Sequence, residues 1–314
     1  MSIVVENGGM LTTVQDEGRF GYQQYGVSPS GPMDSRSFHI ANILVGNDRG
    51  EGALEVTFMG PTLRFTRANV IAVTGGDLSP CLNGEPLSMY RAVAVTKGDV
   101  LSFGGMKNGC RAYIAFAGGL DVPLVMGSKS TLLRYHLGGV EGRKLEKGDE
   151  IAFCSPRASL PEMEKRWAPQ EVFPTGEVVL RVITGPQDDE FTSDGLHQFF
   201  WHSGVITNEF DRMGCRLETD PIEHKGDGNI NTDGISFGSI QVPTNGKPII
   251  MLADRQSTGG YAKIGTVSSV DLPLLAQSMP GMKVRFIRIS LELAQDLYIR
   301  ELEMYRQLEQ SLQV

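Results

Sequence analysis

The stretch Lys97-Gly98-Asp99-Val100-Leu101-Ser102-Phe103 indicates the fold class of this chain, because it recurs further along as Lys147-Gly148-Asp149-Glu150-Ile151-Ala152-Phe153. A weaker copy follows as Pro280-Gly281-Met282-Lys283-Val284-Arg285-Phe286. In each copy a glycine turn leads into a strand with alternating apolar residues. The repetition predicts duplicated β units. The alternative is a coincidence, since a Gly-Asp turn before a strand is common in β proteins.

Short apolar runs separated by turn residues extend this pattern over the whole chain. The runs are rich in Val, Ile and Phe, as in Val70–Val73, Tyr113–Phe116 and Ile249–Leu252. Gly, Asn, Asp and Pro separate them, and glycine alone contributes 38 of the 314 residues. Many short strands joined by tight turns, with few helices between them, are typical of barrels and sandwiches. The predicted fold class is therefore mainly β.

The length of the chain predicts more than one domain, because a single hydrophobic core rarely grows to 314 residues. Prolines at positions 156, 161, 169 and 174 interrupt any regular structure between the two halves. We therefore predict a first domain over 1–155, a linker over 156–176 and a second domain over 177–290. A C-terminal helix is predicted over 291–314.

Capping residues and helical spacing predict a few helices. Asp34 is placed to cap a helix over Ser35–Val45, and Ser193 is placed to cap a short helix that runs through Phe200. The C-terminal helix has apolar residues at helical spacing over Ser290–Leu312. In one interpretation this apolar stripe packs on the chain's own barrel. In the other it docks on a partner subunit.

Charge and composition exclude several classes of partner. The formal net charge is −8 and the isoelectric point is about 5.2, which argues against nucleic acid because phosphate binding needs a basic face. No apolar segment approaches the ~20 residues needed to span a bilayer. The four cysteines lie far apart and form no Cys-x-x-Cys pair, as expected of free thiols in a reducing compartment. We therefore expect a cytoplasmic protein with no membrane partner.

Several catalytic and cofactor motifs are absent from the sequence. It contains no Gly-x-x-x-x-Gly-Lys-Ser/Thr phosphate loop and no Gly-x-Ser-x-Gly nucleophile motif. His197 and His202 are near neighbours, but their spacing turns them to different sides of a helix, so no metal site is predicted. No Ala-Met-Lys-Met biotin acceptor is present. No covalently bound cofactor is therefore expected, and any biotin has to be carried by another polypeptide.

Four polar regions combine glycine with charged and amide side chains. Glycine lets the backbone approach a ligand closely, arginine offers a planar fork to a carboxylate, and Gln, Ser and Thr supply uncharged hydrogen bonds to an amide. Together they predict a polar pocket for a small carboxylate or urea-like substrate. The alternative is structural, since Asp–Arg pairs also hold turns together. The regions are Gln15–Arg19 with Gly26–Asp34, Gly127–Thr131 with Gly138–Arg143, Asp211–Arg216, and Gln241–Pro243 with Asp254–Tyr261.

These regions resemble a family that contains allophanate hydrolase subunit 2, the carboxyltransferase domain of urea amidolyase, the 5-oxoprolinase C subunit and an antagonist of a sporulation-kinase inhibitor. The resemblance covers nearly the whole chain, from Leu11 to Phe286. Taken in order, its motifs are specific for the family, but they do not distinguish one member of the family from another. They are Gln15-Asp16-x-Gly18-Arg19, Ser30-Gly31-Pro32-Met33-Asp34, Ala41-Asn42-x-Leu44-Val45-Gly46-Asn47, Gly127-Ser128-x-Ser130-Thr131, Asp211-Arg212-Met213-Gly214, Gly238-x-Ile240-Gln241-Val242-Pro243 and Gly259-Gly260-Tyr261.

The resemblance implies two cyclophilin-like β-barrel domains and a role as one subunit of a complex. The implied partner is a B-type subunit, similar to allophanate hydrolase subunit 1 and to the KipI inhibitor, with an A-type subunit of the LamB/YcsF kind as a third component. The implied reaction is ATP-dependent opening of 5-oxo-L-proline to L-glutamate, with ATP used by the complex.

Two other functions stay open within the family. One is carboxyl transfer from carboxybiotin, on another protein, to urea or a related amide. The other is a regulatory protein that binds a histidine-kinase inhibitor. Departures from the family pattern at Cys215, Lys129 and Ser257 leave the substrate undecided.

Both reactions have to polarise an amide or ureido carbonyl and to stabilise an oxyanion. Arg212 and Arg255 are candidates for that charge or for a substrate carboxylate, and Gln241 and Gln256 for orienting the amide. Either Asp211 or Asp254 acts as the base or holds an arginine. The candidate catalytic residues are Asp211, Arg212, Asp254 and Gln256. The candidate substrate-binding residues are Gln241, Arg255, Thr258, Gly259, Gly260 and Tyr261 in the second domain, and Gln15, Asp16, Arg19, Ser30, Asp34, Ser128 and Arg143 in the first.

Overall fold

The computed structural model describes residues 2–312, which form two compact units. The first unit contains the chain up to Arg19, Ser30–Phe173 and the chain from Leu302 onward, and the second contains Phe20–Pro29 and Pro174–Glu301. Most of the segment 156–176, which the sequence predicts as a linker, therefore belongs to the first unit. The reason is its apolar side chains, because Leu160, Ala168 and Phe173 are buried.

In the first unit the strands form a six-stranded sheet, in the order β11-β1-β4-β9-β6-β7, and a five-stranded sheet, in the order β2-β3-β10-β5-β8. The elements are β1 (Ser2–Asn7), β2 (Leu11–Gln15), α1 (Ser35–Leu44), β3 (Ala53–Thr57), β4 (Thr62–Phe65), β5 (Asn69–Asp77), β6 (Pro80–Leu82), β7 (Glu85–Pro86), β8 (Ala92–Val95), β9 (Val100–Phe103), β10 (Asn108–Phe116) and β11 (Glu150–Ala152). One hydrophobic core takes side chains from both sheets, for example Ile3 of β1, Phe65 of β4 and Phe116 of β10.

A second hydrophobic core of the first unit is built around α1. The Asp34 carboxylate accepts a hydrogen bond from the Ser37 amide at 3.0 Å, so it caps α1 as its sequence position predicts. Phe38 and Leu44 of α1 are fully buried in this core, together with Tyr305. Tyr305 belongs to α4 (Leu291–Ser311), which begins in the second unit and ends in the first.

In the second unit seven strands close into a barrel, in the order β12-β19-β16-β17-β14-β13-β20, and β15 pairs with β18 as a separate ribbon. The elements are β12 (Glu177–Thr184), α2 (Ser193–Trp201), β13 (Gly204–Phe210), β14 (Gly214–Glu218), β15 (Asn229–Gly234), β16 (Ser239–Gln241), β17 (Ile249–Met251), β18 (Thr258–Tyr261), β19 (Lys263–Val267), α3 (Leu272–Ala276) and β20 (Lys283–Arg288). The barrel closes through the parallel pairing of β12 with β20. Alternate residues of β12, namely Val178, Leu180 and Val182, are fully buried.

The repeated glycine motif forms the same local structure three times. Gly98, Gly148 and Gly281 have φ values of 99°, 100° and 90°, and each precedes a strand. A Cβ atom at these positions would meet nothing within 4 Å, so the left-handed backbone, and not crowding, requires glycine there. The predicted turn before each strand is confirmed.

The mainly β fold class is confirmed, and so are the helix capped by Asp34 and the C-terminal helix. Ser290 accepts a hydrogen bond from the Leu293 amide at 3.2 Å, as expected of the residue before α4. The predicted cap at Ser193 is wrong, because the Thr192 hydroxyl accepts from the Gly195 amide and Ser193 is already helical. Positions 313 and 314 of the predicted helix lie outside the described residues. Over 2–312, no helix has the length and apolar character required to cross a bilayer.

Replacing Tyr305 by alanine is expected to destabilise the first unit by about 3–5 kcal/mol, because a large buried side chain is lost from its core. Tyr305 is 1% exposed, whereas Tyr298 on the same helix is 46% exposed. The matched control Tyr298→Ala is therefore expected to change stability by no more than about 0.5 kcal/mol. Thermal unfolding measures both, and equal melting temperatures for the two variants would contradict the packing of this helix end.

Candidate functional site

Side chains from the segment Arg255–Tyr261 line two different cavities of the second unit. Arg255, Ser257 and Thr258 line the larger cavity, whose volume is about 590 Å³. Gln256 and Tyr261 line the smaller one, of about 400 Å³. The region that the sequence singles out as polar therefore contributes to two different cavities, and its last four residues form β18.

The smaller cavity brings together four of the predicted site residues, which are Asp211, Gln241, Gln256 and Tyr261. Asp211 lies in the turn between β13 and β14, Gln241 ends β16, and Tyr261 ends β18. These residues are distant in sequence, and the barrel pairing of β14, β17 and β16 brings the first two together. The remaining wall includes the apolar side chains of Phe210, Met213, Ile249 and Met251.

Gln241 carries the most informative polar group of the smaller cavity. The residue is 1% exposed, and its side-chain Nε2 has no hydrogen-bond partner among residues 2–312. A buried donor without a partner costs roughly 1–3 kcal/mol, which makes this amide a candidate contact for a ligand group that accepts a hydrogen bond. A carbonyl oxygen of an amide or ureido group has this property.

Gly259 makes room for the Gln241 amide. A Cβ atom added at Gly259 would lie 2.6 Å from Gln241 Nε2 and 2.8 Å from the Cδ1 atom of Ile235. Both distances are too short for a real side chain, so any larger residue has to displace the Gln241 amide. Gly260, its neighbour in the same motif, would meet only the Ile230 carbonyl oxygen at 3.5 Å, which is an ordinary contact.

Asp211 is held in a fixed orientation at the edge of the smaller cavity. Its Oδ1 atom accepts hydrogen bonds from the amides of Met213 and Gly214 at 2.7 and 3.1 Å. Its Oδ2 atom has no hydrogen-bond partner in the described part of the chain, and the residue is exposed. This carboxylate is therefore available to accept a hydrogen bond or a proton from a ligand.

Arg212 and Asp254 bind each other and line neither cavity. The Arg212 Nε and Nη2 atoms donate to the two Asp254 carboxylate oxygens at 2.9 and 3.0 Å, and each side chain is only 6% exposed. The Asp254 amide also donates to the Arg212 carbonyl at 2.7 Å. In this geometry the pair joins two chain segments, as the structural alternative for Asp–Arg pairs predicts.

The larger cavity contains a buried residue that the sequence did not single out. Lys263, on β19, is 4% exposed and donates from Nζ to Asp233 Oδ2 at 2.7 Å. Its signal in the sequence is a lysine between Ala262 and Ile264, in a strand whose neighbours are buried. Arg255 lines the same cavity and is 7% exposed. Burial lowers the pKa of the Arg255 guanidinium to about 10, although the nearby Asp254 acts in the opposite direction.

In the first unit Asp16 organises the loop Gly127–Thr131. Its carboxylate accepts from the hydroxyls of Ser128 and Ser130 at 2.5 and 2.6 Å, and from the Lys129 amide at 2.6 Å. The Arg19 guanidinium donates to the carbonyls of Val125 and Ser130 at 2.9 and 2.8 Å. Three predicted site residues of this unit, Asp16, Arg19 and Ser128, thus hold one loop together.

The other predicted site residues of the first unit lie in different places and have different hydrogen-bond partners. Gln15 is fully buried and donates to the Thr131 carbonyl at 3.2 Å. Asp34 caps α1, and Ser30 is buried with a φ of 60°. Arg143 lies elsewhere and forms a two-point ion pair with Asp149 at 2.8 and 2.9 Å, which lowers the pKa of that carboxyl.

A buried carboxylate of the first unit was also missed. Glu55 is 2% exposed and accepts from the Tyr113 hydroxyl at 2.7 Å and from the Met33 amide at 2.8 Å. The pKa of Tyr113 is raised well above its ordinary value, first by burial and then by Glu55 and Asp34. The signal was a glutamate within the apolar strand β3.

The sequence matches one family model over residues 25–288, that of the carboxyltransferase domain, subdomain A and B. The 5-oxoprolinase C subunit of Escherichia coli (strain K12) is 35% identical over 284 residues, which are 90% of each chain. The urea amidolyase of Lachancea kluyveri is 35% identical over an alignment that covers 93% of this chain and 17% of that protein. The crystal structure of the Kluyveromyces lactis urea amidolyase superimposes with a TM-score of 0.90 and 32% identity over 98% of this chain and 20% of that one.

The chain belongs to the carboxyltransferase domain family.

The resemblance seen in the sequence motifs is therefore confirmed for the family as a whole. In this carboxyltransferase domain, Asp211, Met213 and Gly214 of this motif line the smaller cavity, whereas Arg212 forms a buried ion pair with Asp254. Between Ser2 and Leu312, no three His, Cys, Asp or Glu side chains are grouped as metal ligands.

The variant Arg212→Ala is expected to destabilise the second unit by about 3–5 kcal/mol, because it leaves Asp254 buried without its partner. The matched control is Arg216→Ala, which removes an exposed pair with Glu209 whose side chains are 49% and 74% exposed. That control should cost no more than about 1 kcal/mol. If thermal unfolding showed Arg212→Ala to be as stable as the control, the pair would have no structural role.

Proposed function

We propose that this chain is the C subunit of an ATP-dependent 5-oxoprolinase, acting with a B-type and an A-type subunit to open 5-oxo-L-proline to L-glutamate. The observation that supports this proposal best is the unpartnered Nε2 donor of Gln241 in the wall of the smaller cavity. The lactam carbonyl of 5-oxoproline is an acceptor that fits this donor. Relatives from two bacteria, 34–35% identical over nine-tenths of their own length, are named as the C subunit of 5-oxoprolinase.

The proposed chemistry breaks the C–N bond of the lactam ring. The carbonyl carbon gains an oxygen from one water, and the ring nitrogen takes up a proton and leaves as an amine. The complex hydrolyses ATP to ADP and phosphate with a second water. In this chain, Gln241 and Gln256 orient the amide by uncharged hydrogen bonds. Asp211, fixed through Oδ1, accepts a proton from the attacking water at Oδ2. Tyr261, which is 39% exposed, covers part of the cavity.

Carboxyl transfer to urea is the second candidate function. It is favoured by the TM-score of 0.90 with the urea amidolyase of K. lactis and by a smaller cavity that suits a ureido group equally well. In that reaction carboxybiotin on another protein supplies the carboxyl group. The regulatory function differs from both, since it requires a protein surface and no reaction in the cavity.

Measuring ADP release by the co-expressed C-, B- and A-type subunits separates these functions. We expect release that depends on 5-oxo-L-proline and is absent with urea. The subunits should elute together on size exclusion, and the purified chain alone should be folded and inactive. Activity with urea and a biotin protein would establish the second candidate. Activity of the isolated chain would overturn the subunit proposal, and a joint peak without any turnover would favour regulation.

The variant Gly259→Ala is expected to lower turnover of the complex at least about tenfold, because the added methyl group displaces the Gln241 amide. Gln256→Ala should lower it by a similar factor or more. Gly226→Ala is the matched control, since this exposed glycine of the same unit has open space around its Cβ position. Melting temperatures establish that all three variants are folded. Wild-type turnover by folded Gly259→Ala and Gln256→Ala would remove the smaller cavity from the reaction.

A further inference from the structure

The cavity that contains Arg255, the larger of the two described above, is lined by two buried cations and several hydroxyl groups. Arg255 and Lys263 supply the positive charge. The hydroxyl groups are those of Ser236, Ser239, Ser257, Thr258 and Thr266. Its volume of about 590 Å³ lies within the ordinary range for sites that hold small molecules.

Arg255 has its positive charge buried without a direct counter-ion. Its Nε and Nη1 atoms donate to the carbonyl oxygens of Ile235 and Leu252 at 3.1 and 3.2 Å, and its guanidinium lies 5.6 Å from the centre of the Phe237 ring. Among residues 2–312 no carboxylate forms an ion pair with it, since Asp254 is bound by Arg212. Burying an uncompensated cation is costly, so its position in a cavity wall indicates an anion supplied from outside.

Lys263 adds to the positive charge of the cavity. Its ammonium group uses one of three donors on Asp233, whose side chain is 53% exposed. The cavity is therefore lined by two cations and one carboxylate, in a chain whose formal net charge is −8. One net positive charge balances a monoanion, whereas a phosphate dianion would leave an excess negative charge in a partly buried site.

We propose that this cavity is a binding site for a small monocarboxylate, held by the unpaired Arg255 guanidinium and by the free donors of Lys263. The Ser28 hydroxyl donates to the carbonyl oxygen of Arg255 at 2.6 Å, and this hydrogen bond fixes the backbone that carries the guanidinium. A planar carboxylate accepts from a guanidinium and an ammonium with charge-assisted hydrogen bonds. The anion site follows from the cavity alone and does not depend on the proposed reaction.

Ligand-observed NMR titration of the full chain at low ionic strength tests this site with acetate, propionate and 5-oxo-L-proline. Lys263→Met is expected to weaken carboxylate binding about tenfold or more, since one charge-assisted hydrogen bond is lost. Asp233→Asn should act in the opposite direction and tighten binding about two- to fivefold, because it removes the competing negative charge. Lys247→Met is the control, since Lys247 forms a similar ion pair with Glu218 outside the cavity.

Opposite effects of the Lys263 and Asp233 variants, with an unchanged control, would establish the site. The proposal is overturned if no carboxylate binds at millimolar concentration, if Lys263→Met leaves the affinity unchanged, or if Asp233→Asn weakens binding. Tighter binding of inorganic phosphate than of every carboxylate would also overturn it. Carboxylate binding as expected, in a complex that does not turn over 5-oxoproline, would refute the proposed function alone.

Discussion

The buried ion pair between Arg212 and Asp254 is the interaction on which the second unit depends most. Two charges removed from water cost several kcal/mol each unless they neutralise each other at close range. The pair does so with two hydrogen bonds of 2.9 and 3.0 Å. Arg212 directly follows Asp211, which edges the smaller cavity, and Asp254 directly precedes Arg255, which lines the larger one. This ion pair therefore fixes the backbone next to Asp211 in the smaller cavity and next to Arg255 in the larger cavity.

This pairing also determines which charges are left for ligands. Because Asp254 is occupied by Arg212, it is not the direct counter-ion of Arg255, and burial lowers the pKa of Arg255 to about 10 without changing its charge at neutral pH. The smaller cavity differs, since its buried polar group is the neutral amide of Gln241 and its charged lining residues, Glu209, Asp211 and Arg216, are exposed. Within the segment Arg255–Tyr261, Arg255 therefore contributes a cation to the larger cavity, and Gln256 contributes a neutral amide to the smaller one.

Local signals in the sequence predicted local structure well. Asp34 caps α1 because the interaction needs only the next three residues, and the glycine turns before β9, β11 and β20 need only a left-handed backbone. The site was predicted less completely, because its partners are far apart. Nothing near Arg212 indicates that Asp254, 42 positions away, is its partner. Lys263 was missed because its one signal, a lysine between two apolar residues of a short strand, does not distinguish a side chain in a cavity from one in solvent.

The two cavities together bear on the choice between the candidate reactions. Urea is neutral and would use only groups such as Gln241 and Gln256, so it gives no reason for a buried guanidinium without a counter-ion. 5-Oxoproline carries both an amide and a carboxylate, and its product L-glutamate retains the carboxylate. A chain that keeps an unpaired Arg255 at a cost in stability is better matched to a ligand with a carboxylate. If the larger cavity binds monocarboxylates, that result supports the 5-oxoprolinase assignment. The support then comes from Arg255, and not from the amides of Gln241 and Gln256, which suit urea and 5-oxoproline alike.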